Sequence, residues 1–115
     1  MNPFITISTH RGKQHVPAEN ILRMQSTGAY TVFYEKNGDQ HVLSTNIGQV
    51  LRRLNSNTQL KELFFRVHRS HAVNLQEVLR YQCARGGNVV LSDNAVIAVA
   101  QRRKSKLLKI LKQLK

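Results

Sequence analysis

Apolar positions along the chain fall mostly into short runs separated by polar turns, a pattern that predicts many short strands and little helix before the C-terminus. "FITIS", Phe4 to Ser8, is rich in β-branched and aromatic residues and gives way to a polar turn with a glycine, "THRGK". "ILRMQS", Ile21 to Ser26, leads through "TGA" into "YTVFYE", Tyr30 to Glu35. Asn37-Gly38 then predicts a hairpin, because both residue types tolerate the positive φ of a tight type I′ turn, joining Tyr30–Glu35 to "QHVLS", Gln40 to Ser44. In "TNIGQVLRRLN" the period changes: Ile47, Val50, Leu51 and Leu54 recur at helical spacing behind two candidate caps, Thr45 and Asn46. "NSNTQL" reads as a loop or a further helical turn. Farther on, "VLRYQC", "NVVLS" and "AVIAVA" predict two more hairpins, across "ARGGN" and "DNA". In the closing "QRRKSKLLKILKQLK", Leu107, Leu108, Ile110, Leu111 and Leu114 share one side of a helix, while Lys106, Lys109, Lys112 and Lys115 fall largely on the other. That helix is expected to dock on the sheet through its leucines. No internal repeat or low-complexity linker interrupts the pattern, so the expectation is one domain over 1–115.

One stretch follows neither period. "FFRVHRSHAVNL", Phe64 to Leu75, sets four polar residues between apolar flanks, so "HRSH" reads as an exposed turn between two buried segments. The turn gathers a guanidinium, imidazoles and a hydroxyl in one patch. Arg69 has the chemistry to bind a guanine edge through two hydrogen bonds or to clamp a phosphate, and Ser70 and His68 suit phosphate oxygens. A plainer role competes for two residues: His68 and Asn74 can satisfy backbone groups near the turn.

Charge narrows what that patch would touch. Eighteen Lys and Arg against six Asp and Glu leave a net charge of +12 in 115 residues, with a pI near 10.8. So large a charge on so small a body makes a polyanion the expected partner, nucleic acid or an anionic membrane surface. The last fifteen residues alone hold seven basic side chains and no acidic one. As a membrane-surface helix the segment lacks Trp or Phe anchors, which favours docking on the sheet and no membrane partner. No apolar run approaches membrane-spanning length, and the N-terminus has no basic segment followed by a long apolar stretch. The single cysteine, Cys83, excludes an internal disulfide, fits a reducing cytoplasmic setting and, lying in an apolar run, is expected to be a buried inert thiol.

Catalysis is not expected. His68 and His71 have a three-residue spacing, but no acidic residue follows until Glu77 and Cys83 completes no zinc set, so neither metal nor cofactor is implied. Nor is a small-molecule ligand evident. An RNA-binding or non-specific basic module would share the charge, but the three Tyr, four Phe and no Trp fall mostly in apolar runs rather than at stacking positions.

The central segment resembles the most characteristic part of LytTR domains, the DNA-binding output modules of many bacterial response regulators, whose pattern runs approximately Phe-x-Arg-x-His-Arg-Ser-x-x-Val-Asn. "ENILRMQSTGAYTVFY" is similar to the family's first core hairpin, "LSTNIGQVLRRL" to its short helix, and "NVVLSDNAVIAVAQRRKSKLLKIL" to its closing hairpin, basic turn and terminal segment. The resemblance covers about 19–111. It implies a mainly β fold, an elongated sandwich of small antiparallel sheets with one or two short helices and a C-terminal amphipathic helix. It further implies a transcription regulator that reads double-stranded DNA through three loops at direct-repeat promoter sites. Two copies would then lie side by side on repeat DNA. Carried onto this chain, the first loop is Thr27, Gly28, Ala29 and Tyr30, with Thr27 on the phosphate backbone and Ala29 and Tyr30 toward bases. The second is the "HRS" turn, with Arg69 reading a base and His68 and Ser70 at the backbone. The third is "AQRRKSK", with Arg102 reading a base and Arg103, Lys104 and Lys106 on phosphates.

The chain departs from the family pattern at several points. His71 stands where the family often has Tyr or Phe, Ala100 and Gln101 stand where many members have Ser-Arg, and Ala29 offers no side-chain hydrogen bond. About eighteen residues precede the resemblance, with no receiver or sensor among them. Either the chain is a free-standing regulator, which the "MNPF" start favours, or it is a piece of a longer one; control without a phosphoacceptor would come through abundance, a partner or oligomerisation on DNA.

Overall fold

The computed structural model describes residues 3–9 and 12–113, apart from the side chains of Thr9 and Arg85. Strands β1 (Phe4–Thr9) and β2 (Gly12–Pro17) form a hairpin. A five-stranded antiparallel sheet follows, from β3 (Ile21–Thr27), β4 (Tyr30–Glu35), β5 (Gln40–Leu43), β6 (Phe64–His68) and β7 (His71–Asn74), in the spatial order β5-β4-β3-β7-β6. Strands β8 (Val78–Gln82), β9 (Asn88–Leu91) and β10 (Val96–Ala98) make a third antiparallel sheet, ordered β10-β9-β8. Two helices are added, α1 (Ile47–Asn55) and α2 (Lys104–Gln113). With extents of 41 × 33 × 26 Å, the body is elongated and mainly β, as the resemblance implied.

Two hydrophobic cores lie on either side of the β6–β7 hairpin. The first joins Ile5, Ile7 and Val16 of the N-terminal hairpin to Ile21, Met24 and Phe33 of the central sheet and to Ile47, Val50, Leu51 and Leu54 of α1. The second joins Val89, Leu91, Ile97 and Val99 of the third sheet to Leu107 of α2. Phe64 and Ala72 face the first core, whereas Val67, Val73 and Leu75 face the second. A strand buried on both faces shows no alternation of apolar and polar positions, which is why this stretch fits neither period. A bulge between Arg66 and His68 interrupts the pairing just before the turn.

Most turns follow simple chemistry. Asn46 caps α1, its Oδ1 accepting from the Gln49 amide at 2.9 Å, and the helix buries the four predicted apolar positions. The β4–β5 turn differs from the expected type I′ form: Gly38 has φ +96°, but Asn37 has no positive φ. Instead Asn37 Oδ1 accepts from the Asp39 amide at 2.8 Å, holding a three-residue turn closed by the Gly38 amide on the Glu35 carbonyl. The β9–β10 turn repeats this design, with Asp93 Oδ1 on the Ala95 amide and Asn94 at φ +70°. Residues 10 and 11 of the "THRGK" turn, and Leu114 and Lys115 of the terminal helix, lie outside the described residues.

Two burial expectations are corrected. Cys83 is exposed, because it follows the end of edge strand β8 and opens the turn Ala84–Gly86 instead of continuing into the core. On α2, Leu107 is completely buried and Ile110 and Leu111 pack at the margin, but Leu108 points outward at 40% exposure, so the docked stripe is narrower than the leucine pattern. No described helix is long and apolar enough to cross a membrane.

Candidate nucleic-acid interface

Backbone hydrogen bonds bring the three predicted loops to one margin of the molecule. The β3–β4 turn is tight: Thr27 pairs with Tyr30 across Gly28 and Ala29, and Gly28 takes φ +61°, which a side chain would oppose. Strand β3 also pairs with β7, and the Ser26 amide donates to the Ser70 carbonyl at 2.8 Å, fastening the first loop to the second. On the other side of β6, the Ala100 amide donates to the Val67 carbonyl at 2.7 Å, fastening the third segment to the same hairpin. Each turn is therefore held by its neighbour as well as by its own strands.

Within the second loop, Arg69 is exposed and its guanidinium makes no hydrogen bond or ion pair among the described residues. Its backbone is fixed, since Arg66 Nη2 donates to the Arg69 carbonyl at 2.6 Å. The Ser70 amide donates to His68 Nδ1 at 3.2 Å, so the half-buried His68 is engaged in holding the turn and its Nε2 is the nitrogen left to donate. Asn74, completely buried, binds the Ile21 carbonyl and the Gln76 amide and is structural. His71 lies behind the turn, its ring 5.6 Å from that of His68, with Nδ1 buried and unpartnered among the described residues. Burial lowers its pKa, and the neighbouring His68 and Arg23 lower it further. No cluster of three or more His, Cys, Asp or Glu able to hold a metal ion exists among the described residues.

In the first loop, Thr27, Gly28 and Ala29 are exposed, and Tyr30 is 51% exposed rather than part of the core. The core aromatic of that strand is Phe33, three residues on. In the third segment, Arg102 is exposed and without a partner among the described residues, and Lys106 is exposed beside it. Arg103 donates through Nη1 to the Arg66 carbonyl at 3.2 Å, which leaves its other donors available, and Lys104 Nζ donates to Gln101 Oε1 at 2.7 Å. Gly87, at φ +100°, lies close to Lys104: a Cβ there would clash with the Tyr81 hydroxyl and meet the Lys104 side chain at 2.9 Å.

The electrostatics of this margin favour an anionic partner. Arg102, Arg103, Lys104 and Lys106 crowd the N-terminal end of α2, whose first turn holds no acidic residue. Cations at the positive end of a helix dipole are unfavourable until an anion joins them. Arg66 adds to the crowding; burial lowers its pKa first, then repulsion from Arg103 and Arg52. Sequence reasoning overlooked Arg66 and Arg52 as part of this surface. Arg66 had a visible signal, since it alternates with apolar Phe65 and Val67, whereas Arg52 had none beyond its charge.

A β scaffold that presents fixed turns bearing unneutralised cations is the kind of surface that takes the backbone of a nucleic acid. The family model for the LytTr DNA-binding domain matches residues 12–112, and the chain belongs to this LytTR family of DNA-binding domains. A solved structure from Bacillus cereus, the LytTr DNA-binding domain of a protein described as a methyl-accepting/DNA response regulator, superposes with a TM-score of 0.76. It covers 96% of this chain and 98% of its own, at 18% identity, a likeness of fold. No curated protein matches the chain in sequence.

Proposed function

We propose that this DNA-binding domain is a sequence-specific reader of double-stranded DNA that acts as a bacterial transcription regulator at direct-repeat promoter sites in the cytoplasm. The observation that carries the reading is the mutual fastening of the three loops through the Ser26–Ser70 and Ala100–Val67 hydrogen bonds, which leaves Arg69 and Arg102 exposed and without a partner among the described residues. In this reading Arg69 and Arg102 read base edges, and Ala29 and Tyr30 face bases from the first loop. Thr27, His68, Ser70, Arg103, Lys104 and Lys106 hold phosphates. Two copies bind side by side on a repeat, and the chain performs no catalysis.

Selection of bound sequences from a random duplex library tests this. Wild-type protein should enrich a short direct repeat with half-sites about one helical turn apart. Arg69→Ala and Arg102→Ala should each blur a different position and cost on the order of 1–3 kcal/mol on the cognate site. Lys104→Ala should weaken cognate and random duplexes alike. Identical effects of all three substitutions on both duplexes would sink the reading. The exposure of Tyr30 favours one competing possibility, base stacking with single-stranded RNA, and competition of such RNA against duplex DNA separates the two.

A further inference from the structure

Beside the second and third loops, three guanidiniums meet without a counter-charge among the described residues. Arg66 reaches from β6 in two directions: Nη2 to the Arg69 carbonyl, and Nη1 toward Gly48 in the first turn of α1. A Cβ on Gly48 would sit 3.6 Å from Arg66 Nη1 and 3.8 Å from Arg52 Nη1, so both guanidiniums converge on that glycine. Arg52 lies one helical turn beyond Gly48 on the same face, and helical side chains lean toward the N-terminus, which brings it there. Arg103 completes the group through its bond to the Arg66 carbonyl.

None of the three forms an ion pair among the described residues; the carboxylate ion pairs there are Lys36 with Glu77 and His41 with Glu35. Glu62 lines a groove that Arg66 and Arg103 also line, but it forms no ion pair with an arginine among the described residues. Arg66 Nε is moreover buried without a hydrogen-bond partner among the described residues. Arginines drawn together at a cost in repulsion, next to a loop read as meeting DNA, are what a multiply contacted phosphate would require.

We infer that Arg52 and Arg66 form a fourth DNA contact, a phosphodiester site between α1 and β6 outside the three loops. The inference rests on the DNA reading above and deepens it: the strand that passes the "HRS" turn continues over α1. Arg66 serves both the turn and the phosphate, whereas Arg52 serves the phosphate alone and is the residue to change.

The test is a salt titration of binding by fluorescence anisotropy, on a duplex recovered by selection and on a random duplex, with Arg52→Gln, Arg52→Lys and Arg53→Gln. Arg53 is the neighbouring exposed arginine and controls for loss of one charge. Arg52→Gln should bind both duplexes about 3- to 10-fold more weakly at moderate salt, with the log–log slope shallower by about 1. Its melting temperature should equal or exceed that of the wild type, because a repulsive neighbour has gone. Arg52→Lys should recover the slope, and Arg53→Gln should keep it. A wild-type slope for Arg52→Gln, or an equal change for Arg53→Gln, overturns the site. A lowered melting temperature that accounts for the weaker binding does so too. If inorganic phosphate raises the melting temperature of the wild type but not of Arg52→Gln, while DNA slopes coincide, the cluster serves a free anion and the DNA assignment fails. The random-duplex arm reports on Arg52 even if selection yields no motif, so the two readings fail separately.

Discussion

At the scale of single residues, the second loop depends on side chains that hold it more than on those that face outward. Arg66 bonds one carbonyl of the turn, His68 one amide, and His71 fills the space behind with an unpartnered nitrogen. For His71 the linkage has a definite sign. Its folded pKa lies below the ordinary histidine value of 6.5, chiefly because burial disfavours the imidazolium. The unfolded chain therefore binds more protons as pH falls below about 6.5, so stability is full above that range and declines toward the folded pKa. Urea unfolding at pH 7.5 and 5.5 should show this loss, and His71→Phe, an aromatic of the kind the family often carries there, should reduce it. An unchanged pH dependence in His71→Phe would assign the acid sensitivity to another group.

Among elements, the β6–β7 hairpin is the wall between two cores, and its turn is placed by what packs on both sides. Leu107 of α2 is completely buried against Val67 and Val73 of this wall and against the third sheet. Leu107→Ala should cost about 2–5 kcal/mol in urea unfolding with an unchanged m-value, whereas Leu108→Ala, on the outward face, should cost far less. Equal costs would mean that α2 docks differently. The same wall explains what the sequence disclosed and what it hid. Strands with one buried face, such as Tyr30–Glu35, and the helix around Val50 and Leu54 were legible from their periods. The "HRS" turn was legible from its break in polarity and from family resemblance. Which core each side chain of Phe64–Leu75 enters was not legible, because two-sided burial erases alternation. Cys83 and the β4–β5 turn misled for local reasons: an apolar run that ends at a sheet edge, and an asparagine whose side chain favoured its own backbone. The convergence of Arg52 on Arg66 depends on positions far apart in sequence, which no local pattern records.

For the whole molecule, the charge of +12 is not spread evenly, since the N-terminal end of α2 and the adjoining Arg66 of β6 concentrate it beside the loops. If about five phosphates are neutralised, the logarithm of the binding constant should fall with the logarithm of salt at a slope of roughly −4 to −5. A slope near zero would remove the electrostatic basis of binding. The mutual fastening of the three loops has a calorimetric consequence as well. A reader whose turns are already ordered has little folding left to complete on its target, so the heat-capacity change of association should reflect the contact area alone. Titration calorimetry at several temperatures should give a small negative value, free of the large increment that accompanies a segment ordering as it binds. The enthalpy of recognition would then vary little with temperature.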